Sequence, residues 1–119
     1  MINIVYRPPS EAEQNLLNLL TAADFPGAAA ARQQLSACLV RPLDSEGSLQ
    51  LQVPATPLAD VKFRIPVELY ANDLDGTPVH VLLHVINGRC SELEIYKDAP
   101  TPVLALPSQW EYFIPTQTI

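Results

Sequence analysis

The sequence predicts an α+β fold: two N-terminal helices packed on one face of an antiparallel sheet of about five strands. Three observations carry this. Helical periodicity is confined to the residues before Cys38, and apolar residues recur at period two after it. Asn87-Gly88 then joins two β-branched runs, a strong short-range hairpin signal. Helices segregated from strands along a chain indicate α+β rather than alternating α/β.

Ile2, Ile4 and Tyr6 alternate with Asn3 and Val5 as a short strand suited to a sheet edge, and Pro8-Pro9 stops it. Ser10 and Glu13 have the spacing of a capping box, which starts a helix running to about Ala22. Its apolar stripe is Ala12, Leu16, Leu19, Leu20 and Ala23, widened by Leu17. Asp24-Phe25-Pro26-Gly27 breaks this helix and starts a second over residues 26–36, with Pro26 in the first turn. The narrow face of Ala28, Ala31, Leu35 and Cys38 lets that helix pack closely.

From Cys38 the chain turns to strands, in the order of a meander. Residues 38–41 and 48–53 form a hairpin across the loop at 42–47, and 54–57 is a rigid, proline-bounded connection. Residues 61–71 alternate most cleanly: Val61, Phe63, Ile65, Val67, Leu69 and Ala71 face one way, Lys62, Arg64, Glu68 and Tyr70 the other. Pro66 falls on the polar parity and calls for a bend, a bulge or an edge position. Residues 72–78 are a turn, and 103–106 and 110–114 are late extended segments.

The central hairpin needs a register. A two-residue Asn87-Gly88 turn opposes Val81 to Glu94 and Leu83 to Glu92, driving carboxylates onto the most apolar face. A three-residue loop of Ile86-Asn87-Gly88, with Gly88 left-handed in a G1 bulge, removes the conflict. It sets Val81 against Leu93, Val79 against Ile95, Leu82 against Glu92, His80 against Glu94 and His84 against Cys90. One face is then apolar apart from Ser91, and the other carries Tyr70, His80, Leu82, His84, Glu92, Glu94 and Tyr96.

At 119 residues the chain supports one ordinary core, so residues 1–119 read as a single domain. No apolar run approaches the roughly eighteen residues of a membrane-spanning helix. Residues 1–9 lack the basic start and apolar core of a signal peptide, and the intact chain reads as cytoplasmic. Cys38 and Cys90 are then two reduced thiols rather than a disulfide framework. A net charge of −6 opposes nucleic-acid binding, which needs clustered Lys and Arg, and permits steering toward a partner with a basic surface.

The seven residues of the polar face are the candidate binding site. His80 beside Glu94, flanked by Tyr70 and Tyr96, has the composition of a carboxylate-oriented general base. No nucleophile or oxyanion hole accompanies it, so no residue is assigned as catalytic and the cross-strand pairs read as ordinary sheet decoration. His80, His84, Cys90, Glu92 and Glu94 are all potential metal ligands. Four residues of strand hold His80 and His84 about 13 Å apart, and His84 with Cys90 supplies only two donors, so neither metal nor cofactor is expected. Asp73-Leu74-Asp75-Gly76-Thr77 fails the calcium-loop register, because Ala71 and Leu82 fall where acids belong; it is turn chemistry. Trp110, Tyr112 and Phe113 read either as a last strand sealing the core or as an anchor for a partner.

Two segments taken together resemble a known group. Ala23-Asp24-Phe25-Pro26-Gly27 leads to Arg32-Gln33-Gln34-Leu35, and Gly76-Thr77-Pro78 runs through His80-Val81-Leu82-Leu83-His84-Val85 to Ser91-Glu92-Leu93-Glu94-Ile95-Tyr96. Over about half the chain this is similar to short, uncharacterised bacterial proteins with a DFPG segment, a helix, and strands ending in a Ser-Glu-Leu-Glu-hydrophobic-Tyr run. Relatives in that group often carry a cysteine-rich segment between helix and strands; residues 38–50 here retain only Cys38. The resemblance implies a small soluble bacterial protein and brings no established activity.

The functional expectation is a small, non-enzymatic protein-binding domain, of the immunity type that neutralises a cognate toxin, with Glu92, Glu94, Tyr70 and Tyr96 as contacts. Its rival is a small-ligand binder or enzyme that uses His80 and Glu94 in a pocket lined by Tyr70 and Tyr96. A homodimer joined through sheet faces or edges is a third arrangement.

Overall fold

A computed structural model describes residues 5–116. Their order is α1 (Glu11–Ala22), α2 (Ala28–Leu35), β1 (Leu39–Pro42), β2 (Leu49–Gln52), β3 (Val67–Asn72), β4 (Pro78–Ile86), β5 (Arg89–Lys97) and β6 (Glu111–Phe113). The strands form one antiparallel sheet in the order β1-β2-β5-β4-β3-β6, so the α+β class holds with six strands rather than five. A meander would pair β2 with β3; instead β2 pairs with β5. The irregular connection from β2 to β3 therefore passes around the turn of the central hairpin. Of the expected strand at residues 2–6, Ile2 and Ile4 lie outside the described residues. Arg7 makes a two-bond bridge to Val40 at the sheet edge.

The capping box forms as its spacing requires: the Glu13 amide donates to Ser10 Oγ, and the Ser10 amide donates to the Glu13 carboxylate. The buried face of α1 is rotated from the expected stripe. Leu16, Leu17, Leu20 and Thr21 are inside, whereas Leu19 is partly exposed and Ala12 exposed. Thr21 is tolerated there because its hydroxyl donates to the Leu17 carbonyl. Gly27 rather than Pro26 opens α2, with φ +91°, and Pro26 stays in the preceding turn. The narrow face of Ala28, Ala31, Leu35 and Cys38 is buried as expected.

The strand expected over residues 61–71 begins only at Val67. Pro66 has no N–H for a ladder, and the Arg64 carbonyl is taken by the Val85 amide, so residues 61–66 lie beside the end of β4 without becoming a strand. Residues 103–106 are not a strand either, because the Leu104 and Ala105 amides donate to the Asp73 carboxylate.

The central hairpin corrects the expected register. Asn87 (φ 52°) and Gly88 (φ 78°) form a two-residue, left-handed turn that pairs Ile86 with Arg89 and Val85 with Cys90. The extra residue is taken up on β5, at Ser91, so that His84 pairs with Glu92. Beyond the bulge Val81 meets Ile95, Leu83 meets Leu93, Leu82 meets Glu94 and His80 meets Tyr96. Parity is therefore as expected, and the pairing is displaced by two residues. Cys90, expected on the polar face opposite His84, lies before the bulge and turns into the core instead.

Val67, Leu69, Val79, Val81, Leu83, Leu93 and Ile95 form the inner wall, packed against Leu17, Leu20, Ala31 and Leu35 of the helices. Each fully buried leucine is worth about 2 kcal/mol. Because both helices bury into this cluster, the opposite face of the sheet carries no helix.

Candidate functional site

The outer face is built by strand alternation. Register places Glu68 beside Leu82 and Phe113, Tyr70 beside His80 and Glu111, Leu82 beside Glu94, and His84 beside Glu92. All seven expected site residues share this face. Glu68 and Phe113 join them, as their parity and position allow. Arg64, which alternation over 61–71 already put on the side of Tyr70, and Asp98, for which it gave no signal, join from outside the strands.

The expected His80–Glu94 pair does not form, because the bulge moves Glu94 opposite Leu82. His80 stacks on Tyr96 instead, with ring centroids 4.5 Å apart and planes 9° from parallel. Its Nε2 lies 3.0 Å from Asp98 Oδ2 and its Nδ1 3.4 Å from Glu68 Oε2. Partial burial works to lower the His80 pKa, but the bonds to Asp98 and Glu68 outweigh it and hold the pKa above 6.5. Burial raises the Tyr96 pKa, and Glu68, Asp98 and Glu94 add to it.

Glu94 belongs to His84. His84 Nε2 is 2.8 Å from Glu94 Oε1, and Arg64 Nε donates to His84 Nδ1 at 3.1 Å. A guanidinium only donates, so Nδ1 carries the lone pair and the proton sits on Nε2, aimed at Glu94. No hydrogen bond or ion pair among the described residues reaches the Glu92 carboxylate. One donor atom from each of His84, Glu92 and Glu94 falls within a 4.8 Å group. Three of the five potential ligands named from the sequence are thus assembled, while Cys90 has turned inward and His80 is engaged elsewhere.

A concavity of about 670 Å³ lies at the hairpin end, between residues 58–64 and 85–88. Nearby, the wholly buried Gln34 staples three segments together: its amide group donates to the Pro57 and Gly88 carbonyls, and its oxygen accepts from the Cys90 amide. Cys38 and Cys90 are free and buried, and burial pushes the Cys90 thiol up to about 12. Burial raises the Cys38 thiol as well, so both are disfavoured as thiolates.

No described helix is long and apolar enough to cross a membrane. No curated protein and no solved structure matches the chain significantly. A family profile described as a domain of unknown function, DUF6984, matches residues 6–107, from the bridge at the sheet edge to the segment held by Asp73. The chain belongs to that DUF6984 family.

Proposed function

We propose that this is a small cytoplasmic protein-binding module that docks a basic segment of a partner protein on the outer face of its sheet, as an immunity protein engages a toxin. The observation that carries the reading is the make-up of that face. Exposed Tyr70 and Phe113 lie beside Leu82, His80 and Tyr96, and Glu68, Glu92, Glu94, Asp98 and Glu111 surround them. Of the guanidiniums on this face, Arg64 is held on His84 and Arg41 on Gln50, while Arg89 stands at the hairpin end opposite Ile86. Aromatic centres with charged rims are the composition of transient protein interfaces, and a carboxylate ring favours Lys and Arg in the partner.

Titration of the labelled protein with a lysine-rich peptide, followed by NMR, tests the reading. Shifts are expected at Tyr70, Leu82, Tyr96 and Phe113, weakening as salt rises, with little change for an acidic peptide of equal length. Capture from the native host, or co-expression with the neighbouring gene product, should return a basic protein. A Glu68→Lys/Asp98→Lys variant should lose it. Equal capture by wild type and variant overturns the proposal.

A further inference from the structure

We propose that His84, Glu92 and Glu94 form a binding site for one divalent transition-metal ion. The inference stands apart from the docking reading and can fail or succeed without it. Its first support is geometric. An ion of the zinc type holds nitrogen and carboxylate donors at about 2.0–2.2 Å in a tetrahedron, so two donors on one ion stand about 3.5 Å apart. The three donor atoms already lie within 4.8 Å of one another, and His84 Nε2 and Glu94 Oε1 are 2.8 Å apart. Closure of about 1.3 Å is needed, and two partly exposed glutamate side chains can supply it by rotation.

The second support is the frame. His84 and Glu92 are directly opposed on hydrogen-bonded strands, and Glu94 follows Glu92 on the same face. The imidazole is about nine-tenths buried. The third support is charge. Among the described residues no hydrogen bond or ion pair reaches the Glu92 carboxylate; Arg64 sits on the far nitrogen of the imidazole, and Arg41, on the same face, is held by Gln50 opposite Glu92. One imidazole with two carboxylates suits zinc, manganese or cobalt better than magnesium or calcium, which take all-oxygen sites. Three protein donors leave at least one position for water.

Arg64 gives the proposal a distinctive signature. Coordination needs the Nε2 lone pair, so the proton must move to Nδ1, turning that nitrogen into a donor. A guanidinium cannot accept from it and must withdraw. Arg64 therefore competes with the ion. A glutamine in its place removes the competition and offers an amide oxygen to Nδ1–H, the kind of outer-shell bond that orients metal-binding histidines. The loop is held at this point by the backbone bond from the Val85 amide to the Arg64 carbonyl, which does not involve the substituted side chain.

The test is calorimetric titration of chelator-treated, full-length protein with zinc chloride, with cobalt(II) absorption as a second readout. One ion per chain is expected. Glu92→Gln should weaken it at least tenfold and His84→Asn at least a hundredfold, while Arg64→Gln should tighten it about tenfold. Glu92 makes no side-chain bond among the described residues, so its variant tests the site even where His84→Asn fails to fold. In ¹⁵N spectra of the imidazoles, zinc should shift His84 Nε2 and leave both nitrogens of His80 in place. Absence of saturable binding below millimolar zinc, retention of binding in Glu92→Gln, or a shift centred on His80 overturns the proposal.

Discussion

Gln34 is wholly buried among apolar side chains, and its amide group bonds the Pro57 and Gly88 carbonyls and the Cys90 amide. Gln34→Ala leaves the Cys90 amide and the Pro57 carbonyl without their partner. It should cost about 2–4 kcal/mol in urea unfolding. Gln34→Glu should cost more at pH 7, because a carboxylate would face the Pro57 and Gly88 carbonyls. His80 sets a pH dependence whose sign follows from its raised pKa. The folded state binds the proton more tightly than the unfolded chain, so its stabilisation is full below about 6.5 and is lost as pH rises through the folded value. The stability difference between wild type and His80→Asn should be larger at pH 6 than at pH 8.5, and NMR titration of the ring gives the pKa directly. At this scale the sequence was informative about which residues share a face and silent about which of them touch. Alternation puts His80 and Glu94 together, but contact depends on register, and no local pattern distinguishes Glu94 from Glu92 as the partner of an imidazole.

The elements were legible where their signals are local. The capping box, the alanine face of α2 and the place of the central turn each depend on residues within a few positions, and each is present, although the turn has two residues where three were expected. The start of β3 and the pairing of β2 with β5 depend on distant partners, so a clean alternation over 61–66 was misleading. The bulge at Ser91 is the sharpest case. Alternation shows that one residue must be absorbed, but does not show on which strand. Deleting Ser91 while keeping Asn87-Gly88 should push Glu92 and Glu94 toward the core and abolish cooperative unfolding, whereas Ser91→Ala should cost less than about 1 kcal/mol. Gly27→Ala meets two obstacles, a φ of +91° and a new Cβ about 3.1 Å from the Asp60 carbonyl group. It should cost about 1–3 kcal/mol in the same measurement.

Across the whole molecule, the far end of the sheet is closed by a buried charge cluster. Lys97 Nζ lies 2.9 Å from Asp73 Oδ2 and 2.7 Å from Asp75 Oδ2, and also donates to the Pro102 carbonyl. Asp73 holds the Leu104 and Ala105 amides as well, so β5, the β3–β4 turn and the C-terminal segment share one anchor. The bonds from the backbone amides and Lys97 keep the Asp73 carboxyl well below the usual carboxylate range. Lys97→Met should leave that carboxylate buried and unpaired, lower the melting temperature by roughly 10 °C and speed amide exchange at 103–105. The site at the other end illustrates a separation between architecture and chemistry. A homologous hairpin with a three-residue turn and no bulge would bury the same wall, since parity is preserved. It would oppose His84 to the residue at Cys90, sliding the imidazole about 7 Å along the ribbon from Glu92. Lineages that exchange one solution for the other would keep their shape and stability while gaining or losing the ability to chelate.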